Sequence, residues 1–300
     1  MLPGLFQYSF VQNAFLAGTI VAIVAACTGY FVVLRTQTFA GEALSDIGFA
    51  GATGALVFGF SSLIGMLIFS LLSALGMGML GERVRGRDVE IGMVLSFALG
   101  LGVLFLTIYT QSGSASAGAS GVGILFGSIL SVQRTDVVIT FICGIIILTL
   151  LTILFRPLLF ATIDPEVALT RGVPVRALSI IFLMILSVTI SVSILVVGVL
   201  LIISLLIAPA ATALRLTHHP KASISLAIVF SLLFTWTGLF MAFTGSFGHY
   251  LPVGFYISAL AAITYFLSVV INRLGIVHVE RREKVVPCCI DKEENYTSSY

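Results

Sequence analysis

Glu42 and Asp46 stand four residues apart in Thr38-Phe-Ala-Gly-Glu-Ala-Leu-Ser-Asp-Ile-Gly-Phe-Ala-Gly51, a spacing that sets both carboxylates on one face of a helix. Two like charges so placed repel each other. A single acid inside an apolar layer already costs on the order of 2.5 to 3.5 kcal/mol by insertion scales, so an embedded pair requires a cation, a proton or a water-filled lumen. Carboxylate oxygens are hard ligands that suit Mn²⁺ and other divalent ions. The same pair also reads as two wetted carboxylates at a helix start, favoured there by the helix dipole. Gly41, Ala43, Ser45, Gly48, Ala50, Gly51, Ala52 and Gly54 would let this helix pack closely against a neighbour.

A second constellation lies in Arg156-Pro-Leu-Leu-Phe-Ala-Thr-Ile-Asp-Pro-Glu-Val-Ala-Leu-Thr-Arg-Gly-Val-Pro-Val-Arg176. Asp164 can cap a short helix whose first residue is Pro165 and whose first turn holds Glu166; Arg171 ends it, and Gly172 stops it before Pro174. Such a helix between two spans is either a structural loop element or a lever that fits a cleft on a soluble motor subunit.

Other chemistry is missing. A phosphate-cradling loop needs a lysine early in a helix, and the only Lys before residue 284 is Lys221, in His218-His219-Pro-Lys-Ala-Ser. Gly76-Met-Gly-Met-Leu-Gly81 fits a dinucleotide fingerprint in letters alone; with no strand before it and no βαβ unit around it, it reads as helix packing by small residues. The four histidines, His218, His219, His249 and His278, form no HExxH pattern. The chain therefore reads as a transport component without an ATPase site or enzymatic activity of its own, and with no bound cofactor.

The elements that must position these residues follow from composition. Of 300 residues, 59% are hydrophobic and 9% charged, and the mean hydropathy is +1.16. This is an all-α polytopic integral membrane protein rather than a pair of soluble domains. Ten of the 28 charged residues lie between Arg273 and Tyr300. Residues 1–277 read as the transmembrane domain and residues 278–300 as a cytoplasmic, mostly disordered tail. A net charge of +2 offers no basic face for nucleic acid. Cys27, Cys143 and the vicinal Cys288-Cys289 do not make a disulfide framework. The opening MLPGLFQYSF lacks the basic start and cleavage site of a secretory signal, so the first apolar run is expected to stay.

A span needs about 20 apolar residues. The uncharged runs predict helices near 9–34, 42–59, 62–80, 89–110, 135–155, 177–196, 198–214, 221–245 and 252–272. Ile47 to Gly81 carries no charge and would make roughly 50 Å of unbroken helix, so a turn is placed at Gly59-Phe-Ser-Ser62. Gly198 breaks the equally long run from Ala177 to Leu214. With nine spans, 14 of the 15 basic residues fall on one side and only Arg134 on the other. That places the amino terminus outside and the carboxyl terminus in the cytoplasm. An eight-span arrangement, with one weak segment lying in the interface, is the alternative. The outer connection, Ser112 to Gly123 followed by Ile124 to Val132, reads as a flexible linker with an interfacial helix, or as a docking surface for an outer partner.

Four stretches together resemble the permease subunits of bacterial ABC importers for manganese, zinc or iron: FVVLRTQTFAGEALSDIGFAG (Phe31–Gly51), GILFGSIL (Gly123–Leu130), DPEVALTRGVP (Asp164–Pro174) and VVGVLLIISLLIAPAATA (Val196–Ala213). The resemblance covers roughly residues 10–272. It implies a multi-pass protein of the bacterial inner membrane that forms the translocation path for a divalent metal ion and pairs with a second permease subunit as a homodimer. It also implies cytoplasmic ATPases that hold the ATP and contact Asp164, Glu166, Arg171 and Gly172, and an extracytoplasmic metal-binding protein that delivers the ion. Glu42 and Asp46 are then the expected metal contacts. Two departures stand out. Relatives commonly carry Gly-Asp-Ala-Leu-Ser-His where this chain reads Gly41-Glu-Ala-Leu-Ser-Asp46, and often an acid where this chain has Tyr250. The first replaces a nitrogen ligand that favours zinc with oxygen. Two readings compete: a permease for a larger chelate, and an ion-coupled secondary transporter or channel, which accounts for intramembrane acids without any ATPase.

Overall fold

The computed structural model describes residues 9–80, 87–111, 123–125, 127, 132–217, 219–244 and 253–273. Among them are ten helices of six or more residues and no strand: α1 (Ser9–Leu34), α2 (Thr38–Val57), α3 (Ser62–Leu80), α4 (Arg87–Gln111), α5 (Arg134–Ile163), α6 (Pro165–Thr170), α7 (Val175–Val197), α8 (Val199–Leu216), α9 (Pro220–Thr244) and α10 (Val253–Arg273). The tail from residue 278, with Cys288-Cys289, and also His218, His249 and Tyr250, lie outside the described residues.

Eight of the helices are long and apolar enough to cross a membrane: α1, α3, α4, α5 and α7 to α10. α2 is the exception, because Gly and Ala fill nine of its twenty positions and two acids sit in its first half. It is nevertheless among the most enclosed elements, with thirteen residues buried. At about 1.5 Å per residue it is roughly 30 Å long, the thickness of the apolar layer. Protein, rather than lipid, surrounds it: α2 packs on α3 and α4 along its length and touches α7 and α8. The eight-span and nine-span counts thus differ only in how α2 is scored. α1 and α7 form the interior of the bundle, 67% and 72% buried, whereas α4 is 11% buried and peripheral.

Glycine lets the backbones approach. A Cβ on Gly29 would overlap the carbonyl of Leu206, which seats α1 directly on α8. The neighbouring Thr28 meets Thr189 of α7 at 3.5 Å between hydroxyls. On one continuous helix, residues 189 and 206 would be roughly 25 Å apart. Two consecutive residues of α1 touch both, so the chain reverses between α7 and α8. The reversal occurs at Gly198, whose φ of 92° and ψ of 161° belong to a region essentially reserved for glycine. The turn after α2 also has a left-handed glycine, Gly59, with φ 75°.

Several polar side chains inside the bundle bond across helices. Ser70 of α3 lies 2.7 Å from Ser191 and accepts a 3.0 Å hydrogen bond from Ser187, both on α7. Ser231 of α9 donates to the Ala22 carbonyl of α1. Aromatic rings fill the space between them, with Phe31 edge-on to Tyr30, Phe155 and Phe182.

One expectation is corrected. The helix placed at 135–155 continues through Pro157 to Ile163. Proline inside a helix costs about 3 kcal/mol, but Leu158 and Ala161 beyond it are buried in the core, and that packing holds the helix past the break. Of the outer connection, residues 112–122, 126 and 128–131 lie outside the described residues. Gly123–Leu125 is a helical turn whose Ile124 and Leu125 pack on the core. Gly127, with φ 83°, lies so close to the Val197 carbonyl that no side chain would fit. The amide of Asn13 donates to the Val132 carbonyl at 3.4 Å. The described part of this connection therefore folds back onto the break between α7 and α8.

Candidate functional site

α2 begins where the chain turns sharply after α1. Gln37 returns its N–H to the Val32 carbonyl at 2.9 Å, after Thr36 takes a left-handed φ of 53°. Glu42 and Asp46 follow Thr38 by four and eight residues, which places them about 6 and 12 Å along the helix from its start. Glu42 is half-buried and Asp46 is 6% exposed. The structure brings both onto one wall of a single cavity of about 640 Å³. On that wall Asp46 is buried and Glu42 half-buried.

The other walls come from α4, α8 and α10. α8 contributes Leu200, Ile203, Ser204, Ile207, Ala208 and Ala211, and α10 contributes Ser258, Ala261, Ala262, Tyr265 and Phe266. Steps of three and four residues mark one face of each helix. The α8 face runs from Val199 to Ala211, twelve residue steps, so the cavity extends roughly 18 Å along the helix. Its polar lining consists of two carboxylates and three hydroxyls, on Ser204, Ser258 and Tyr265. All are oxygen donors. Ser204 and Ser258 spend their protons on the carbonyls of Leu201 and Gly254, each at 2.8 Å, which leaves their lone pairs free to accept or to meet a cation. Among the described residues no group of three His, Cys, Asp or Glu is assembled for a metal. The pair thus offers an incomplete, oxygen-only ligand set, which suits transient contact with a hard divalent ion better than permanent binding. The buried Gln37 Oε1 and Ser45 Oγ, in the same stretch of chain, have no hydrogen-bond partner.

Sequence reasoning found the carboxylates and missed Ser204, Ser258 and Tyr265. The periodic small residues of Ser204, Ala208 and Ala211 were a signal for a helix face, but nothing in the chain says that this face opposes α2. Tyr265 is held from below. Arg215, in the last turn of α8, donates to the Tyr265 hydroxyl at 3.0 Å, and its guanidinium lies 5.1 Å from the ring centroid.

The second constellation forms the capped helix that its sequence predicts. Asp164 accepts a hydrogen bond from the Val167 N–H at 3.1 Å, and Pro165 opens α6. Gly172 closes it with φ 76°, where the Val173 N–H reaches the Ala168 carbonyl at 3.0 Å. Ala168 is fully buried and anchors the helix, while Glu166, Val167, Leu169 and Arg171 are exposed. Val167 and Leu169 add apolar surface to the charged pair, a feature the sequence reading did not single out. α6 is thus a fixed projection with an exposed, mixed apolar and charged face. Gly78 of the fingerprint-like run packs on Ile180 of α7, whereas a Cβ on Gly76 would point into open space.

Comparison with known proteins places this geometry. The manganese transport system membrane protein MntC of Halalkalibacterium halodurans is 30% identical over 265 residues, covering 88% of this chain and 89% of the relative. MntC of Listeria monocytogenes is 31% identical over 287 residues, covering 95% and 99%. The manganese import system permease protein ScaB of Streptococcus parasanguinis is 30% identical, covering 89% and 92%. The solved structure of PsaBC from Streptococcus pneumoniae in complex with Fab superposes with a TM-score of 0.77 at 31% identity, over 89% of this chain and 93% of that one. An ABC transporter of metal-chelate type in an inward-facing conformation shares the fold, with a TM-score of 0.69 at 16% identity. The pattern of the ABC 3 transport family matches residues 7–282, and with these relatives along nearly its whole length the chain belongs to that family.

Proposed function

We propose that this protein is the membrane-spanning permease of an ATP-driven importer for a divalent metal ion, with manganese the foremost candidate and iron or zinc the alternatives. The observation that carries the reading is the position of Glu42 and Asp46 on the wall of a long cavity whose other polar groups are hydroxyls. A divalent ion leaving water needs negative charge and oxygen donors, and this lining supplies both. The manganese-transport names of MntC and ScaB agree with that ligand chemistry. Leu200 and Phe266, which line the cavity, are exposed, so a second copy would complete its wall and bring a second pair of carboxylates to it.

In this reading α6 docks into a separate ATPase through Asp164, Glu166, Val167, Leu169, Arg171 and Gly172, and an extracytoplasmic metal-binding protein delivers the ion. α6 and the carboxyl terminus lie in the cytoplasm, on the side favoured by the basic residues. The test is uptake of Mn²⁺ into vesicles containing the chain with and without its ATPase. Uptake that depends on the ATPase and on ATP supports the reading. Uptake by the chain alone down an ion gradient would instead make it a secondary transporter or channel.

A further inference from the structure

Arg215 sets a fixed positive charge in the last turn of α8. It lies one residue before the end of α8, just ahead of α9, and α9 runs antiparallel to α1 with Ser231 on Ala22 and Thr235 on Gly18, so Arg215 sits at the end of the bundle where α1 gives way to α2. Tyr265 lies eight residues before the end of α10, on the cavity wall with Glu42 and Asp46. Its hydroxyl accepts from Arg215 at 3.0 Å, and the guanidinium stacks over its ring. Arg215 does not itself line the cavity; through Tyr265, which does, it sets a positive charge directly behind that part of the wall. Repulsion between a divalent ion and a guanidinium in a half-buried site is strong and weakly screened. Arg215 is half-buried, as is Tyr265.

The wall between them has a built-in weak point. Pro209 lies inside α8 and has no N–H to offer the Leu205 carbonyl. The turn carrying Arg215 is therefore joined to the lining turns above it by a helix with one ladder bond missing. Thr217 and Ser223 fasten the other side, where the Ser223 hydroxyl donates to the Thr217 carbonyl at 2.9 Å.

We propose that Arg215 and Tyr265 form the inner gate of the ion path: the arginine latches α10 to α8 through the tyrosine and holds a positive charge across the exit until the helices separate. Both are positioning and barrier residues rather than ligands. The inference rests on the reading of the cavity as a metal path, and the experiment separates the two.

The assembled transporter is placed in phosphatidylethanolamine and phosphatidylglycerol vesicles loaded with Mn²⁺, and release without ATP is followed alongside ATP-driven uptake. Arg215→Gln is expected to raise passive Mn²⁺ release about tenfold, equivalent to about 1.4 kcal/mol off the barrier. Arg215→Lys keeps the charge and should stay within about twofold of the parent, and Tyr265→Phe, which frees the arginine but keeps the ring, should fall between. Release of an uncharged solute of similar size should not change. The gate is overturned if Arg215→Gln leaves Mn²⁺ release unaltered while ATP-driven uptake proceeds. It is also overturned if Mn²⁺ and the uncharged solute leak equally, the result expected of a merely loosened bundle. Should Arg215→Gln not assemble, Tyr265→Phe decides on the same readout: increased Mn²⁺ release supports the gate, and release equal to the parent overturns it. Failure of the parent protein to take up Mn²⁺ with ATP would instead refute the metal path itself.

Discussion

Gly51 of α2 and Gly65 of α3 face each other so closely that a Cβ on either would overlap the other's backbone carbonyl. The contact fixes α2 against α3 a few residues from their connecting turn, and with it the depth at which Glu42 and Asp46 reach the cavity. Gly51→Val should therefore destabilise the fold by about 2–3 kcal/mol through overpacking. Gly76→Ala, where nothing lies within 4 Å, should be neutral or stabilise by up to about 1 kcal/mol through helix propensity. Thermal unfolding of the two variants in detergent checks the contrast; equal midpoints would mean that α2 and α3 are not held at this point.

Asp46→Asn preserves shape and removes one negative charge from the cavity wall. Transport should drop about tenfold with membrane insertion unchanged, since a loss of only about 1.4 kcal/mol in ion affinity changes occupancy by that factor. Asp46→His introduces a nitrogen ligand and should move selectivity toward zinc relative to manganese. Competitive uptake of the two ions in vesicles measures both effects, and unchanged rates and selectivity would remove the pair from the ion path.

Gly172 has open space around it, so a substitution there tests conformation rather than fit. At φ 76° a β-branched residue is strained by about 1–3 kcal/mol. Gly172→Val should weaken the end of α6, reducing ATPase stimulation and transport together while metal binding persists. Asp164→Ala, which removes the cap, should act in the same direction by about 1 kcal/mol. Coupled activity at parent levels in both variants would show that α6 is not the link to the motor.

Glu166 and His219 are exposed at the ends of different helices, and the basic-residue bias assigns both to the cytoplasmic side. Single cysteines at these two positions, in a background without reactive native thiols, should resist an impermeant thiol reagent added outside and react after the membrane is opened. Labelling of position 166 from outside would invert the topology.

The features legible in the sequence were those with local causes. Apolar runs interrupted by glycine located the helices and the reversal at Gly198. Four-residue spacing placed Glu42 and Asp46 on one face, and Asp164, Pro165 and Gly172 spelled out the start and stop of α6, because a cap, a fixed φ and a left-handed terminus are properties of neighbouring residues. The tertiary structure decided what depends on contact across the chain. Packing of Leu158 and Ala161 carried α5 through Pro157 against its local preference. The enclosure of α2 by its neighbours let a helix of Gly, Ala and two acids lie deep in the bundle despite its modest hydropathy. Ser204 and Tyr265 reached the wall shared with Asp46, and Arg215 met a tyrosine fifty residues away, only because close-packed helices set the distances between faces that the sequence specifies one helix at a time.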